Sequence, residues 1–138
     1  RQGTAWLDAD TYLVPGSMRA ARLAAGATIQ AAVGVAAGDA MVAVAAVRPP
    51  GHHAAARRGA GFCLYNNVAI AAAALRAEGL AQRIAIVDWD VHHGDGTQAI
   101  FDADPEKIGR RWGALTIRAP EEYESWISAT LDCVIPRS

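Results

Sequence analysis

The sequence has few cysteines and no long apolar run. Its 138 residues include two cysteines, Cys63 and Cys133, and neither belongs to a Cys-x-x-Cys pair. Such usage argues against a disulfide framework and is typical of a reducing compartment, so we expect a cytoplasmic protein. Apolar stretches such as 41–47 and 84–87 are far shorter than the roughly 20 residues that cross a bilayer. We therefore predict no membrane span, and the start of the chain has no signal-peptide pattern.

Runs of charge are absent as well. The chain has 13 Lys and Arg against 14 Asp and Glu, a net charge of -1, and no cluster of either sign. Nothing therefore predicts direct binding to nucleic acid or to an anionic membrane. The hydrophobic share of 52% and the length indicate one globular domain at most. Because the chain opens with Arg1, we interpret its start as a fragment boundary.

Helical and strand patterns alternate along the first two thirds of the chain. Four segments have such a pattern: helices over 18–37 and 68–78, and buried strands over 41–47 and 83–87. Asn66 and Asn67 are suitable caps for the second helix, and Gly79 is suited to end it with a left-handed residue. The alternation predicts an α/β fold with a parallel sheet. After about residue 105 the Ala-rich pattern gives way to a different composition.

All four histidines fall in two dipeptides, His52-His53 and His92-His93, each directly after a predicted strand. Ligands of open α/β sheets bind outside the carboxyl ends of the strands, so both pairs are candidates for one site. In an extended chain residues two apart face the same side, which would align Asp88, Asp90 and His92. An Asp and His set suits Zn²⁺ or Fe²⁺, although a catalytic zinc needs three protein ligands. The alternative is a solvated turn rich in Asp and Gly.

The first histidine pair follows a stiff Pro-Pro-Gly segment, which suits a residue that must be held in place. A neutral imidazole can take a proton from water and return it to a leaving group, and a carboxylate would orient it. Asp88 and Asp95 are the candidate carboxylates, whereas the alternative is a pair of structural histidines in a turn. Phe62, flanked by glycine, could wall an apolar pocket, although an aromatic residue is more often part of a core. The segment from Gly94 lacks the spacing and the Lys of a phosphate-binding loop.

Three ordered motifs resemble the zinc-dependent histone deacetylase family, which includes bacterial acetylpolyamine amidohydrolases and acetoin-utilisation proteins. The motifs are Arg-Pro-Pro-Gly-His-His-Ala at 48–54, Gly-Phe-Cys-Leu-Tyr-Asn-Asn-Val-Ala at 61–69, and Asp-Trp-Asp-Val-His-His-Gly-Asp-Gly-Thr-Gln at 88–98. The Asp-Trp-Asp form of the last motif is most similar to class II enzymes and their bacterial relatives. The resemblance implies a partial, truncated arginase/deacetylase α/β fold, whose parallel sheet has helices on both faces.

The resemblance also implies a site and a reaction. The residues that it assigns are His52 and His53, the catalytic pair; Asp88 and Asp95, their respective carboxylate partners; Asp90 and His92, two of the three zinc ligands; and Gly61 and Phe62, which line the acyl-lysine tunnel. A structural K⁺ ion would use the 88–92 segment among its ligands. The implied reaction is removal of acetyl groups from acetylated lysine or an acetylated small amine.

The resemblance covers residues 11–105, so we expect a partial deacetylase catalytic domain over 1–105 and a divergent tail over 106–138. No recognisable motif supplies the family's third zinc ligand, an Asp, or its oxyanion-stabilising Tyr or His. We interpret the chain as a truncated or rearranged gene product. One rival is a non-catalytic remnant that binds metal weakly. Another is a metal-dependent phosphoesterase, since Asp-x-Asp and His-His clusters also serve two-metal hydrolysis, but the ordered motifs argue against it.

Overall fold

The structure, a computed structural model, describes residues 3–102 and the short segments 114–116 and 133–136. Two short strands, β1 (Ala5–Trp6) and β2 (Tyr12–Leu13), pair antiparallel near the start. The remaining elements are, in chain order, α1 (Ser17–Ala36), α2 (Asn67–Ala77), β3 (Ile84–Asp88), α3 (Asp95–Asp102), β4 (Ala114–Thr116) and β5 (Cys133–Pro136). The predicted boundary after residue 105 lies outside the described residues.

The two long helices form where the sequence predicts them. α1 buries small residues, among them Ala21 and Ala24, which allows close packing against α2. α2 begins at the predicted cap, because the side chain of Asn66 accepts a hydrogen bond from the backbone N–H of Ala69 at 3.1 Å. The chain leaves α2 through Gly79, whose φ of 70° is favourable only for glycine. Both helix predictions are confirmed.

The core lies between α2 and β3. Val68, Ala72 and Leu75 of α2 pack with Ile84 and Ile86 of the strand, and all five side chains are buried. Such a cluster buries the apolar face of the strand against that of the helix, as layers of an α/β fold require. Since β3 ends at Asp88, this packing fixes the position from which the second histidine loop starts.

The strand predicted over 83–87 is confirmed as β3, the central strand of a three-stranded sheet with the order β4-β3-β5. β4 runs parallel to β3 and pairs Asp88 with Thr116, whereas β5 runs antiparallel. The sheet of the described residues is therefore mixed, while the alternation of elements predicts a parallel one. Among these residues, no helix is long and apolar enough to cross a membrane.

The prediction of a strand over 41–47 is wrong. The segment forms no strand, and Met41, Val42 and Val44 are 95%, 76% and 67% exposed. The physical reason is that a strand needs a neighbour for its backbone hydrogen bonds, and β4 and β5 occupy both edges of β3. His52-His53 consequently follows a loop, and His92-His93 alone follows a strand.

Replacement of Leu75 by alanine should lower the free energy of unfolding by about 2–5 kcal/mol, because the side chain is fully buried in the core between α2 and β3. Urea unfolding measures the change. Leu80→Ala is the matched control, since Leu80 is 37% exposed. Equal losses in the two variants would contradict this account of the core.

The exposed apolar side chains of the 41–47 segment should make the chain self-associate, as an uncovered apolar surface generally does. We expect Val42→Lys with Val44→Lys to shift the chain toward monomer in sedimentation velocity without lowering its urea midpoint. Thr4→Lys, an exposed change elsewhere, is the control. A sharp monomer peak for the unchanged chain would count against the prediction.

Candidate active site

The first histidine pair is held against the start of α2. Gly51 allows the approach, because a Cβ there would lie 2.6 Å from the backbone nitrogen of Asn67. His52 is buried, and its carbonyl accepts a hydrogen bond from the backbone N–H of Thr97 at 3.0 Å. The stiff segment that the sequence predicts is thus anchored at both α2 and α3.

His52 and Asp88 form the first histidine-carboxylate dyad. The Nδ1 atom of His52 lies 2.8 Å from Oδ2 of Asp88, and both side chains are almost fully buried. Gly94 lies against the pair, since a Cβ there would approach both Asp88 Oδ2 and His52 Nδ1. A buried imidazole bonded to a carboxylate at Nδ1 has a fixed ring orientation. The structure thus brings together the two residues that were predicted to pair, 36 positions apart.

His53 and Asp95 form the second dyad, closer to solvent. Nδ1 of His53 lies 2.6 Å from Oδ1 of Asp95, and Arg58 donates to the other carboxylate oxygen at 3.2 Å. Burial alone would raise the pKa of Asp95, but the hydrogen bond to His53 and the charges of His53 and Arg58 outweigh it and lower the pKa. The rings of His52 and His53 are 4.1 Å apart, so the two dyads are adjacent.

Asp90 and His92 form a third pair beside the second dyad. Asp90 accepts from the backbone N–H of His92 at 2.7 Å, and its Oδ1 atom lies 3.0 Å from His92 Nδ1. Burial would raise the pKa of Asp90, but the backbone and side-chain hydrogen bonds from His92 lower it, so the carboxylate is charged. The His92 ring is 6.1 Å from that of His53. The pair therefore borders the catalytic candidates.

The loop after β3 does not present Asp88, Asp90 and His92 as one row. Asp88 binds the backbone N–H of Asp90, and Asp90 in turn binds that of His92, so the chain coils through two successive turns. The side chain of Asp88 is hydrogen-bonded to His52, whereas that of Asp90 is hydrogen-bonded to His92. The expectation of one three-residue cluster is not met, but its alternative, a merely solvated turn, is also wrong because Asp88 is buried.

Asp90 and His92 have the chemistry of metal ligands. Two donors of a tetrahedral ion, each about 2.0–2.2 Å from the metal, lie roughly 3.4 Å apart, which is near the observed 3.0 Å. A charged carboxylate and an imidazole suit zinc or ferrous iron. Across the described part of the chain, however, no group of three or more His, Cys, Asp or Glu residues could hold a metal ion. These residues thus fit two positions of a site that needs three.

Gly61 and Phe62 lie at the tip of a tight turn next to His53. A Cβ on Gly61 would lie 2.7 Å from Cγ of His53, so the ring packs directly on the glycine backbone. Phe62 is 57% exposed, which excludes the core role that was the alternative. It lines a pocket of about 240 Å³ together with Thr11 and Pro49, and none of the four histidines lines this pocket.

Sequence reasoning missed three residues that support the dyads. Asn66, predicted as a helix cap, also donates through Nδ2 to the carbonyl of Ala54 at 3.1 Å and to Thr97 Oγ1 at 2.9 Å. Thr97 joins this network to His52, and Arg58 binds Asp95. The position of Thr97 within the third motif was a usable signal, but the arginine contact had none because it depends on the fold of the intervening loop.

Comparison with known proteins identifies similar sequences over most of the chain. The family model of the histone deacetylase domain matches residues 1–108. Histone deacetylase 4 of Caenorhabditis briggsae is 51% identical over 105 residues, which are 74% of this chain and 12% of that protein. The human polyamine deacetylase HDAC10 is 46% identical over 101 residues, covering 73% of this chain and 15% of its own length.

The backbone is similar to a solved structure as well. The crystal structure of the HDA15 HD domain superposes with a TM-score of 0.70 at 50% identity, covering 73% of this chain and 28% of that one. The chain therefore corresponds to a minor part of each of these proteins.

Stability should fall in acid partly because of Asp95. Its folded-state pKa is lowered, so the stabilisation it contributes is complete above the unfolded pKa of about 3.9 and is lost as pH falls through the folded value. We expect Asp95→Asn to flatten the decline in unfolding free energy between about pH 5 and pH 3, measured with urea. Asp39→Asn, on an exposed loop, is the control. Parallel profiles for all three proteins would contradict the assignment.

Proposed function

Since this chain belongs to the histone deacetylase family, we propose that it carries the proton-transferring half of a deacetylase catalytic site. The reaction is hydrolysis of the N-acetyl amide of an acetylated lysine or an acetylated small amine. The observation that carries the proposal is the contact of His52 with Asp88 beside that of His53 with Asp95, with rings 4.1 Å apart. Two oriented imidazoles beside two candidate metal ligands support general acid–base hydrolysis.

The two dyads divide the proton transfers between them. Each carboxylate binds Nδ1 of its histidine, and we assign proton exchange to the other ring nitrogen, Nε2. One imidazole takes a proton from the attacking water, and an imidazolium returns one to the amine as the C–N bond breaks, so that water and amide become acetate and amine. The partly exposed His53 is the better candidate for contact with the leaving amine, while the buried His52 lies deeper.

Asp90 and His92 would hold the catalytic metal, Zn²⁺ or Fe²⁺, together with a third donor. A bound divalent ion supplies Lewis-acid polarisation of the acetyl carbonyl and lowers the pKa of a bound water. Gly61 would support the His53 ring, and Phe62 would line the path of the acyl chain. The 88–92 segment would contribute ligands to a structural K⁺ ion.

The proposed domain organisation also rests on membership of the family. We propose that 1–105 is a partial catalytic domain, with 106–138 a divergent tail, and that the whole domain has a parallel sheet with helices on both faces. The balanced charge and the cysteine usage support a cytoplasmic protein that binds neither nucleic acid nor membrane directly.

A second candidate function is metal binding without turnover. It is supported by the described residues, among which no group of three or more His, Cys, Asp or Glu could hold a metal ion. Without the full ligand set and an oxyanion donor, the charge that develops on the acetyl oxygen is poorly stabilised. In that case the chain retains the family's dyads but does not accelerate hydrolysis.

The deciding experiment measures zinc content and hydrolysis of a fluorogenic acetyl-lysine peptide and of an acetylated polyamine. We expect stoichiometric zinc, and a loss of turnover of about 10²–10⁴-fold in His53→Ala because the proton carrier is removed. Arg83→Ala, outside the site, is the matched control. Asp90→Asn with His92→Ala should abolish zinc binding.

The outcomes separate the two candidates. Turnover that depends on both His53 and zinc supports the deacetylase. Zinc bound through Asp90 and His92 without turnover supports the binding remnant. Hydrolysis that persists in His53→Ala at the unchanged rate would contradict the assignment of the dyads.

A further inference from the structure

A turn near the start of the chain, residues 8–11, is tied together by the carboxylate of Asp8. This carboxylate accepts hydrogen bonds from the backbone N–H groups of Asp10 at 3.1 Å and Thr11 at 2.7 Å. Hydrogen bonds with Thr11 and Asp10 outweigh the effect of burial and lower the pKa of Asp8 to about 2. The carboxylate is therefore charged at neutral pH, and the turn has a fixed shape.

The glycine-phenylalanine turn has an uncommon backbone. Ala60 and Cys63 exchange two backbone hydrogen bonds, of 3.0 and 2.8 Å, which makes Gly61 and Phe62 the central pair of a two-residue hairpin. Both central residues have positive φ, 53° and 63°. This conformation suits glycine but is unfavourable for phenylalanine. In such a hairpin, partners for the two central N–H groups must come from outside the turn.

The 8–11 turn supplies both of these partners. The backbone N–H of Gly61 donates to Asp8 Oδ2 at 3.3 Å, and that of Phe62 donates to Thr11 Oγ1 at 2.9 Å. Thr11 is 2% exposed, and its hydroxyl in turn donates to Asp10. Two side chains more than 50 positions away thus bind the two N–H groups of the strained pair.

The position of this pair matters for the site. Gly61 packs against the ring of His53, and Phe62 is the adjoining residue of the same turn. We propose that Asp8 and Thr11 are positioning residues that hold Phe62 in its left-handed conformation and thereby set the wall of the acyl-substrate path beside His53. This inference rests on the proposed deacetylase function only for the role of Phe62 and His53 toward substrate.

The chain offers a spectroscopic test that does not depend on activity. Phe62 and Phe101 are its two phenylalanines, so labelling with 4-fluorophenylalanine yields two ¹⁹F signals, which Phe62→Leu assigns. Thr11→Val keeps the side-chain shape but removes the hydroxyl, whereas Thr11→Ser keeps the hydroxyl. We expect Thr11→Val to shift or split the Phe62 signal and leave that of Phe101 in place, and Thr11→Ser to resemble the unchanged chain.

Kinetics on the acetyl-lysine peptide provide the second readout. Loss of the hydrogen bond to Phe62 should raise KM about tenfold in Thr11→Val with little change in kcat, because the wall is displaced while the dyads are intact. Thr11→Ser should restore KM. Asp8→Ala, a change near the surface, should have an effect in the same direction and provides a second variant if Thr11→Val fails to fold.

An unchanged Phe62 signal in folded Thr11→Val would overturn the inference. If Thr11→Val does not fold, an unchanged Phe62 signal in Asp8→Ala would overturn it instead. Equal effects of Thr11→Val and Thr11→Ser would also overturn it, since they would show a packing role for Thr11. If the unchanged chain has no turnover, the proposed function fails, and the ¹⁹F comparison still decides whether the turn is held in this way.

Discussion

The buried contact between His52 and Asp88 is the interaction on which the rest of the site depends. Asp88 is the last residue of β3, and His52 is held beside α2, so their contact joins the sheet to the helix layer at one point. Burial of a carboxyl group is unfavourable unless it is hydrogen-bonded, and the imidazole of His52 provides such a bond. Removal of either partner would deprive a buried polar group of this hydrogen bond.

Three glycines make this convergence sterically feasible. Gly51 and Gly94 leave room beside α2 and beside the dyad, and a Cβ on Gly96 would lie 2.6 Å from the backbone of Ala54. The approach of α3 to the histidine segment therefore requires the absence of side chains at these glycines, beside the hydrogen bond from the backbone N–H of Thr97 to the carbonyl of His52. At this separation of the backbones, Asp95 reaches His53 and forms the second dyad.

The local elements and the pairing of the dyads were predicted from different kinds of sequence signal. The caps of α2 at Asn66 and Gly79 are short-range features, so pattern alone was sufficient. The pairing of His52 with Asp88 is long-range, and it was predicted from the resemblance of three motifs.

The prediction of a strand over 41–47 failed because an apolar run indicates burial but does not identify the neighbouring strand. In the structure, β4 and β5 occupy the edges of β3. The contacts of Asn66 with Thr97 and of Arg58 with Asp95 depend on how distant loops meet, which no local pattern encodes.

The protonation sites of the histidine rings test the central claim most directly. Because carboxylates bind Nδ1 in both dyads, ¹⁵N NMR of histidine-labelled chain near neutral pH should show His52 and His53 with a proton on Nδ1. Single His→Ala variants assign the signals, and Asp88→Asn should alter the ring signals of His52 while those of His93 are unchanged. Rings of His52 and His53 that carry a proton on Nε2 alone would contradict the dyads, and with them the proton-transferring site.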